Sequence, residues 1–96
     1  MEIFYLLNSG FMIRDEKILM VFDDYEDSKK VVDRAINAGN FEHLYIFVSH
    51  AHFDHFDTHI RAYAKDVTRY IFSNDVKRTK RVKNFPADDI TFIRKY

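Results

Sequence analysis

Four residues near the middle of the chain have the types and the spacing of metal ligands. His50, His52, Asp54 and His55 form the pattern H-x-H-x-D-H within "VSHAHFDHFD", residues 48–57. Alternate residues of an extended segment point the same way, and a following turn redirects the last two, so one short loop can direct ligands at two neighbouring points. Imidazole nitrogen and carboxylate oxygen suit Zn²⁺, Fe²⁺ or Mn²⁺.

The chemistry that this ligand set favours is hydrolysis. Two ions held close together can generate hydroxide from bound water and clamp a scissile group between them. The structural alternative is that the four side chains are ordinary surface or core residues. That alternative is the weaker one, because burying four such groups after an apolar run is costly unless they have partners. We rank a site with one ion, built from the same four residues, below the site with two.

The elements that must position this loop can be read from the apolar periodicity. The run "LYIFVS" (44–49) predicts a strand buried on both faces of a sheet, and open α/β sheets place their sites at the carboxyl ends of such strands. Residues 2–7, 11–14 and 18–23 predict an antiparallel three-stranded meander. Residues 25–40 have helical periodicity, and Gly39 supplies a stop signal.

The segments after the loop complete the predicted fold. Asp57 or Thr58 can cap a helix that continues to Tyr63 or Ala64, because short polar side chains accept the free N–H groups of a first turn. Residues 68–73 predict a strand, 74–85 a short basic helix ended by Pro86, and 90–96 a final strand. The expected fold class is α/β (α+β), a mixed sheet with flanking helices.

Composition limits the classes of partner and compartment. The chain has 96 residues, enough for one small domain, and its 15 Lys and Arg balance its 15 Asp and Glu, so no overall charge attracts nucleic acid or an anionic membrane. The basic residues of 74–85 are predicted to form a solvated helix face rather than a nucleic-acid site. No cysteine is present, which excludes disulfides and thiolate ligands. The lack of a signal-peptide pattern and of a membrane-spanning run favours a cytoplasmic protein.

The motif and its surroundings also resemble a known family. "SHAHFDH" resembles the signature of the metallo-β-lactamase superfamily, and "NSGFMI" and "ILMVFD" before it are similar in order to the N-terminal half of that family's αββα sandwich. The resemblance implies that His50 and His52 ligate a first ion, zinc before iron or manganese. It implies that Asp54 and His55 ligate a second ion, and that Asp54 also orients the attacking water as the catalytic residue.

The sequence departs from the family pattern after the motif. No histidine follows His59, so the later ligands of the family have no counterpart. We therefore expect residues 1–96 to be one partial domain, a fragment that is inactive alone and needs a missing C-terminal half. The full-length protein would hydrolyse an ester, lactone, thioester or phosphodiester that the sequence does not identify. The alternative is a non-catalytic module that folds by self-association as a homo-oligomer and acts in binding.

Five further residues carry hypotheses of their own. His59 is predicted to be a surface residue or a hydrogen-bond partner of the ligands rather than a ligand. His43 is predicted to be exposed. Asp23 and Asp24 either accept hydrogen bonds from the metal loop, as the resemblance implies, or are ordinary turn residues, and the sequence leaves both readings open. Asp57 is predicted to be a helix cap.

Overall fold

The computed structural model describes residues 1–6, 10–25, 30–51 and 56–94. The elements are strands β1 (Glu2–Tyr5), β2 (Phe11–Asp15) and β3 (Ile18–Phe22), helix α1 (Val31–Ala38), strand β4 (His43–Val48), a 3-10 helix (Thr58–Tyr63), strand β5 (Arg69–Ser73), three further 3-10 segments (Asn74–Arg78, Arg81–Asn84 and Ala87–Asp89), and strand β6 (Ile90–Ile93). None of the described helices is long and apolar enough to cross a membrane.

The strands form one mixed sheet in which spatial order follows chain order, β1-β2-β3-β4-β5-β6. The pairs β1–β2 and β2–β3 are antiparallel, which confirms the predicted meander. The pairs β3–β4, β4–β5 and β5–β6 are parallel. The protein is therefore an α+β fold with a mixed sheet, as the sequence predicted. The parallel register also brings the carboxyl ends of β3, β4 and β5 to one edge of the sheet.

The hydrophobic core lies on one face of the sheet. Alternate strand residues are buried there, in keeping with the period of two along a strand: Met12, Leu19, Val21, Leu44, Ile46, Val48, Tyr70 and Phe72. The described helical segments contribute Val32, Ile36, Ile60, Tyr63 and Val76 to the same cluster. Each fully buried aliphatic side chain contributes about 1.5–3 kcal/mol relative to exposure, so this face supplies most of the driving force for folding.

The second face of the sheet is apolar but only partly covered. The rings of Phe11, Phe22 and Phe47 stack across three neighbouring strands, with centroid distances of 4.5 and 4.3 Å. Tyr5 is 86% exposed, and Ile93 is 51% exposed. The helical segments that the structure describes bury their apolar residues on the opposite face, so this face keeps contact with solvent.

Helix α1 is shorter than the segment predicted for it. Its last residue precedes Gly39, which has φ 69° and donates its N–H to Ile36 O at 3.1 Å, as the stop signal predicted. It begins after Lys30, which has φ 57°. Within the predicted range of 25–40, residues 26–29 lie outside the described residues.

The prediction of one basic helix over residues 74–85 is wrong. The structure has two 3-10 segments, Asn74–Arg78 and Arg81–Asn84. Between them Thr79 is extended, with φ −83° and ψ 151°, and its hydroxyl donates to Val76 O at 2.8 Å. A threonine hydroxyl that bonds a nearby carbonyl competes with the helical hydrogen bond, and this explains the break.

Candidate metal centre

The predicted metal loop begins at the edge of the sheet where β3, β4 and β5 end. Of the four predicted ligands, His50 is described, whereas His52, Asp54 and His55 belong to residues 52–55, outside the described set. Within the described residues, no three His, Asp or Glu side chains come together as a metal site. The geometry of the site is therefore known from the residues that lead into the loop and out of it.

The residues that lead into the loop hold His50 through a chain of hydrogen bonds. Ser49 N–H donates to Asp23 Oδ1 at 2.7 Å, and the Ser49 hydroxyl donates to Asp23 Oδ2 at 2.6 Å. Ser49 Oγ also lies 2.8 Å from His50 Nδ1. This geometry decides between the two readings of Asp23: its carboxylate accepts hydrogen bonds from the start of the loop.

The hydrogen bonds that join Asp23, Ser49 and His50 determine the tautomer of His50. The Ser49 hydroxyl has one hydrogen, and an ionised Asp23 carboxylate can only accept, so that hydrogen is donated to Asp23. Ser49 Oγ must then accept from His50, which places the imidazole proton on Nδ1. In the neutral imidazole the lone pair is on Nε2. A hydrogen bond that fixes one ring nitrogen while the other carries the lone pair is the usual arrangement of a ligating histidine.

The position of Asp23 depends on two contacts distant in sequence. Its N–H donates to Phe47 O at 2.9 Å, which continues the parallel pairing of Phe22 with Phe47. Gly10 packs against it so closely that a Cβ there would lie 2.5 Å from Asp23 O. The β1–β2 hairpin is therefore in tight contact with Asp23, the residue whose carboxylate accepts hydrogen bonds from Ser49.

His59 lies between two carboxylates on the helical side of the loop. Its Nε2 is 2.8 Å from Asp24 Oδ2, and its Nδ1 is 3.0 Å from Asp57 Oδ1. The Asp24 side chain is 0% exposed. Burial alone would lower the pKa of His59, but the hydrogen bond and charge of Asp24, followed by the nearby Asp57 carboxylate, raise it from 6.5 to about 8.

This geometry refines the predictions for the neighbouring residues. Asp57 caps the 3-10 helix as predicted, because its side chain accepts the N–H of His59 at 3.1 Å. His59 is half-buried and paired, so it is not a surface residue. Asp24 is buried and pairs with His59, and is more than an ordinary turn residue. His43 is exposed at the other end of β4, as predicted.

Two residues that the sequence did not single out contact Ala51 and Phe56, which flank the segment 52–55. Arg81 Nη2 donates to Ala51 O, and Arg81 Nη1 donates to Phe56 O at 2.8 Å. Asp75 accepts the N–H of Ala51 at 3.0 Å. Arg81 is one of five basic residues between 77 and 83, and the other four, Lys77, Arg78, Lys80 and Lys83, are exposed as predicted. No signal in the sequence distinguishes Arg81 from them.

An apolar groove of about 300 Å³ opens beside the entry to the loop, on the second face of the sheet. Phe22, Phe47 and Ile71 line its floor, and Asp23 and Ser49 lie at its edge. A neighbouring depression of about 410 Å³ has a mixed lining that includes Asp75, Arg78 and Arg94. The entry to the loop therefore borders an apolar surface.

Comparison with known protein families, with curated proteins and with solved structures found no match for this chain.

Proposed function

We propose that this chain carries the N-terminal part of the active site of a metal-dependent hydrolase of the metallo-β-lactamase superfamily. The observation that supports this most directly is the hydrogen-bonded chain from Asp23 through Ser49 to His50. It gives His50 the tautomer of a ligating histidine at the first position of H-x-H-x-D-H.

The proposed ligands are those that the motif and the resemblance indicate. His50 and His52 would hold a first ion, and Asp54 and His55 a second, with zinc expected and iron or manganese as alternatives. When bound, such a pair supplies hydroxide near neutral pH and polarises the scissile group. Asp54 would accept a hydrogen bond from the attacking water and orient it. The donor set is nitrogen and oxygen only, which suits these ions.

The groove supports the proposal that a substrate binds next to the loop. Its apolar floor and its border with Asp23 and Ser49 would place an apolar part of a substrate beside the proposed ions. The substrate classes remain ester, lactone, thioester or phosphodiester, since the fold alone does not determine the reaction. As the sequence predicts, we also propose that the protein is cytoplasmic.

The first experiment is a titration of the ¹⁵N-labelled chain with Zn²⁺, observed through the imidazole nitrogens. We expect the signals of His50, His52 and His55 to shift toward those of metal-bound imidazole. His43, exposed on the same strand as the loop entry but at its far end, is the internal control and should not shift. The variants His50→Ala and His55→Ala should each weaken the response, and elemental analysis of the zinc-loaded chain gives the metal-to-chain ratio.

A second experiment tests hydrolysis itself. Zinc-loaded protein, supplemented with any C-terminal half that its reading frame encodes, is assayed on one substrate of each class. The Asp54→Asn variant should lose roughly a hundredfold or more in rate, because the amide does not replace the carboxylate that would hold the second ion and orient the attacking water. The proposal is wrong if millimolar Zn²⁺ leaves the signals of His50, His52 and His55 all unchanged, or if the zinc-loaded protein hydrolyses none of the four substrate classes.

A non-catalytic module is the second candidate, and the second face of the sheet favours it. Ile3 and Ile93 on this face are each 51% exposed, and Tyr5 is 86% exposed. Apolar surface of this kind is typical of contact areas. Under this hypothesis a second copy of the chain covers the face. Sedimentation equilibrium would show a dimer that Tyr5→Lys converts to monomer, without any hydrolysis by the zinc-loaded wild-type protein.

A further inference from the structure

One guanidinium group joins the two ends of the predicted metal loop. Ala51 precedes residues 52–55 and Phe56 follows them, and both carbonyl oxygens accept hydrogen bonds from the terminal nitrogens of Arg81. The guanidinium is planar and its donors are in a fixed fork, so the distance between the two carbonyls is fixed as well. We refer to Arg81 and these two carbonyls as the Arg81 clamp.

The Arg81 clamp is anchored in the core at its exit end. Phe56 is 0% exposed, and its ring lies 4.8 Å from Arg81 Cζ, which allows a cation–π contact. The same ring packs against Phe72 at 5.3 Å and Phe85 at 5.6 Å between centroids. Because core packing restricts Phe56, it also restricts where Arg81 holds Ala51.

The entry end has a second support. Asp75 accepts the N–H of Ala51 at 3.0 Å and also accepts a hydrogen bond from Ser73. Both backbone polar groups of Ala51 are therefore bonded to side chains that follow β5. This segment is remote in sequence from the loop but adjacent to it, because Val48 of β4 pairs with Phe72 of β5.

We propose that Arg81 is a positioning residue for metal binding by the loop, a role that rests on the proposed function. Four residues lie between Ala51 and Phe56, and three of them are predicted ligands. Fixing both ends of so short a loop during folding reduces the conformational entropy that the loop loses when it binds an ion. Arg81 would act through the backbone and would not contact the ion.

The test compares three substitutions in the complete chain. Arg81→Gln removes the fork and the charge, Arg81→Lys keeps the charge but not the planar fork, and Lys83→Gln is the matched control. Lys83 is an exposed cation in the same 3-10 segment, so its variant loses the same charge without touching the clamp. For each protein, Zn²⁺ affinity is measured from the imidazole ¹⁵N shifts of His50 and His52, and the unfolding midpoint is measured without metal.

We expect Arg81→Gln to weaken Zn²⁺ binding by roughly tenfold to a hundredfold, which is the usual effect of losing a residue that orients ligands. The Zn²⁺ affinity of Arg81→Lys should lie between those of Arg81→Gln and wild type, and the affinity of Lys83→Gln should equal that of wild type. A role in fold stability alone would lower the midpoint but leave the affinity of the folded protein and its metal-bound imidazole shifts unchanged. Should Arg81→Gln not fold, Arg81→Lys and Asp75→Ala are measured instead, and both should weaken binding.

The outcomes separate this inference from the proposed function. Folded Arg81 variants with wild-type Zn²⁺ affinity would overturn the inference and leave the proposed function intact. If the histidine signals of the wild-type chain do not shift with Zn²⁺, both this inference and the proposed function are wrong. A loss of affinity equal in Arg81→Gln and Lys83→Gln would also overturn the inference, because it would assign the effect to overall charge.

Discussion

His59 should make the stability of the fold depend on pH, because its imidazole lies between two carboxylates. Asp24 Oδ2 is 2.8 Å from Nε2, and Asp57 Oδ1 is 3.0 Å from Nδ1. The hydrogen bond and charge of Asp24 contribute more than the nearby Asp57 carboxylate, and together they outweigh the effect of burial. The pKa of His59 is thereby raised from 6.5 to about 8.

The direction of the effect follows from where the proton binds more tightly. The folded state holds it with a pKa of about 8, whereas the unfolded chain holds it with a pKa near 6.5. Protonation therefore stabilises the fold fully below about pH 6.5, and this stabilisation is lost as the pH rises through about 8. One pKa unit corresponds to about 1.36 kcal/mol, so the free energy of unfolding should fall by about 2 kcal/mol.

The assay is urea unfolding of wild type and His59→Gln at about pH 6, below both pKa values, and at about pH 9, above both. Glutamine keeps an N–H donor for Asp24 but does not titrate, so the variant serves as the reference for all other titrating groups. We expect the stability advantage of wild type over the variant to decrease by about 2 kcal/mol between the two pH values. His43→Gln, measured in the same way, is the control for replacing a histidine by glutamine at an exposed site.

A direct titration of the His59 imidazole by NMR provides the second readout. Wild type should titrate with a pKa near 8, and Asp57→Asn should lower that pKa because one of the two charges is removed. If the stability difference between wild type and His59→Gln does not change with pH, or if His59 titrates at its ordinary value, the ion-pair reasoning is refuted.

Three further substitutions test the supports of the site and the core. Gly10→Ala should lower the free energy of unfolding by about 1–3 kcal/mol, since its Cβ would lie 2.5 Å from Asp23 O. Ser49→Ala should change the tautomer of His50, seen in its imidazole ¹⁵N shifts, because the oxygen that accepts from Nδ1 is removed. Tyr70→Phe should destabilise the fold by about 1–3 kcal/mol, because its buried hydroxyl donates to a backbone carbonyl at 2.8 Å.

Each of these has an outcome that would contradict it. If Gly10→Ala is as stable as wild type, the hairpin is not in tight contact with Asp23. An unchanged His50 spectrum in Ser49→Ala would show that the hydroxyl does not fix the tautomer. Tyr70→Phe tests whether the hydroxyl is needed at a fully buried position, where burial also raises the pKa of the phenol. Equal stability of that variant would mean that the carbonyl finds another donor.

The candidate site was predictable from the sequence only in part. The resemblance implies that Asp23 lies near the loop, but the sequence is equally consistent with an ordinary turn, and it is the parallel register of Phe22 with Phe47 that brings Asp23 to Ser49. The pairing of Asp24 with His59 spans 35 residues, and nothing local indicates it. The ligand roles of His52, Asp54 and His55 remain predictions, because these residues lie outside the described part of the chain.

The basic segment shows why one residue of a run can differ from its neighbours. The sequence predicted a single solvated helix, and four of the five cations are indeed exposed. The break at Thr79 changes the direction of the chain before Arg81. Arg81 then reaches two carbonyls that come 30 and 25 residues earlier in the chain. A helical periodicity argument assumes an unbroken helix and cannot anticipate this.

The sequence by itself determined the strands, their order along the chain, the stop at Gly39 and the cap at Asp57. These features depend on side-chain periodicity and on backbone preferences within a few residues. Only the tertiary structure decided that Asp23 supports Ser49, that His59 lies between two carboxylates and that Arg81 joins the ends of the loop. Such contacts depend on sheet register and on packing between distant segments, and the residue types alone permit many other pairings.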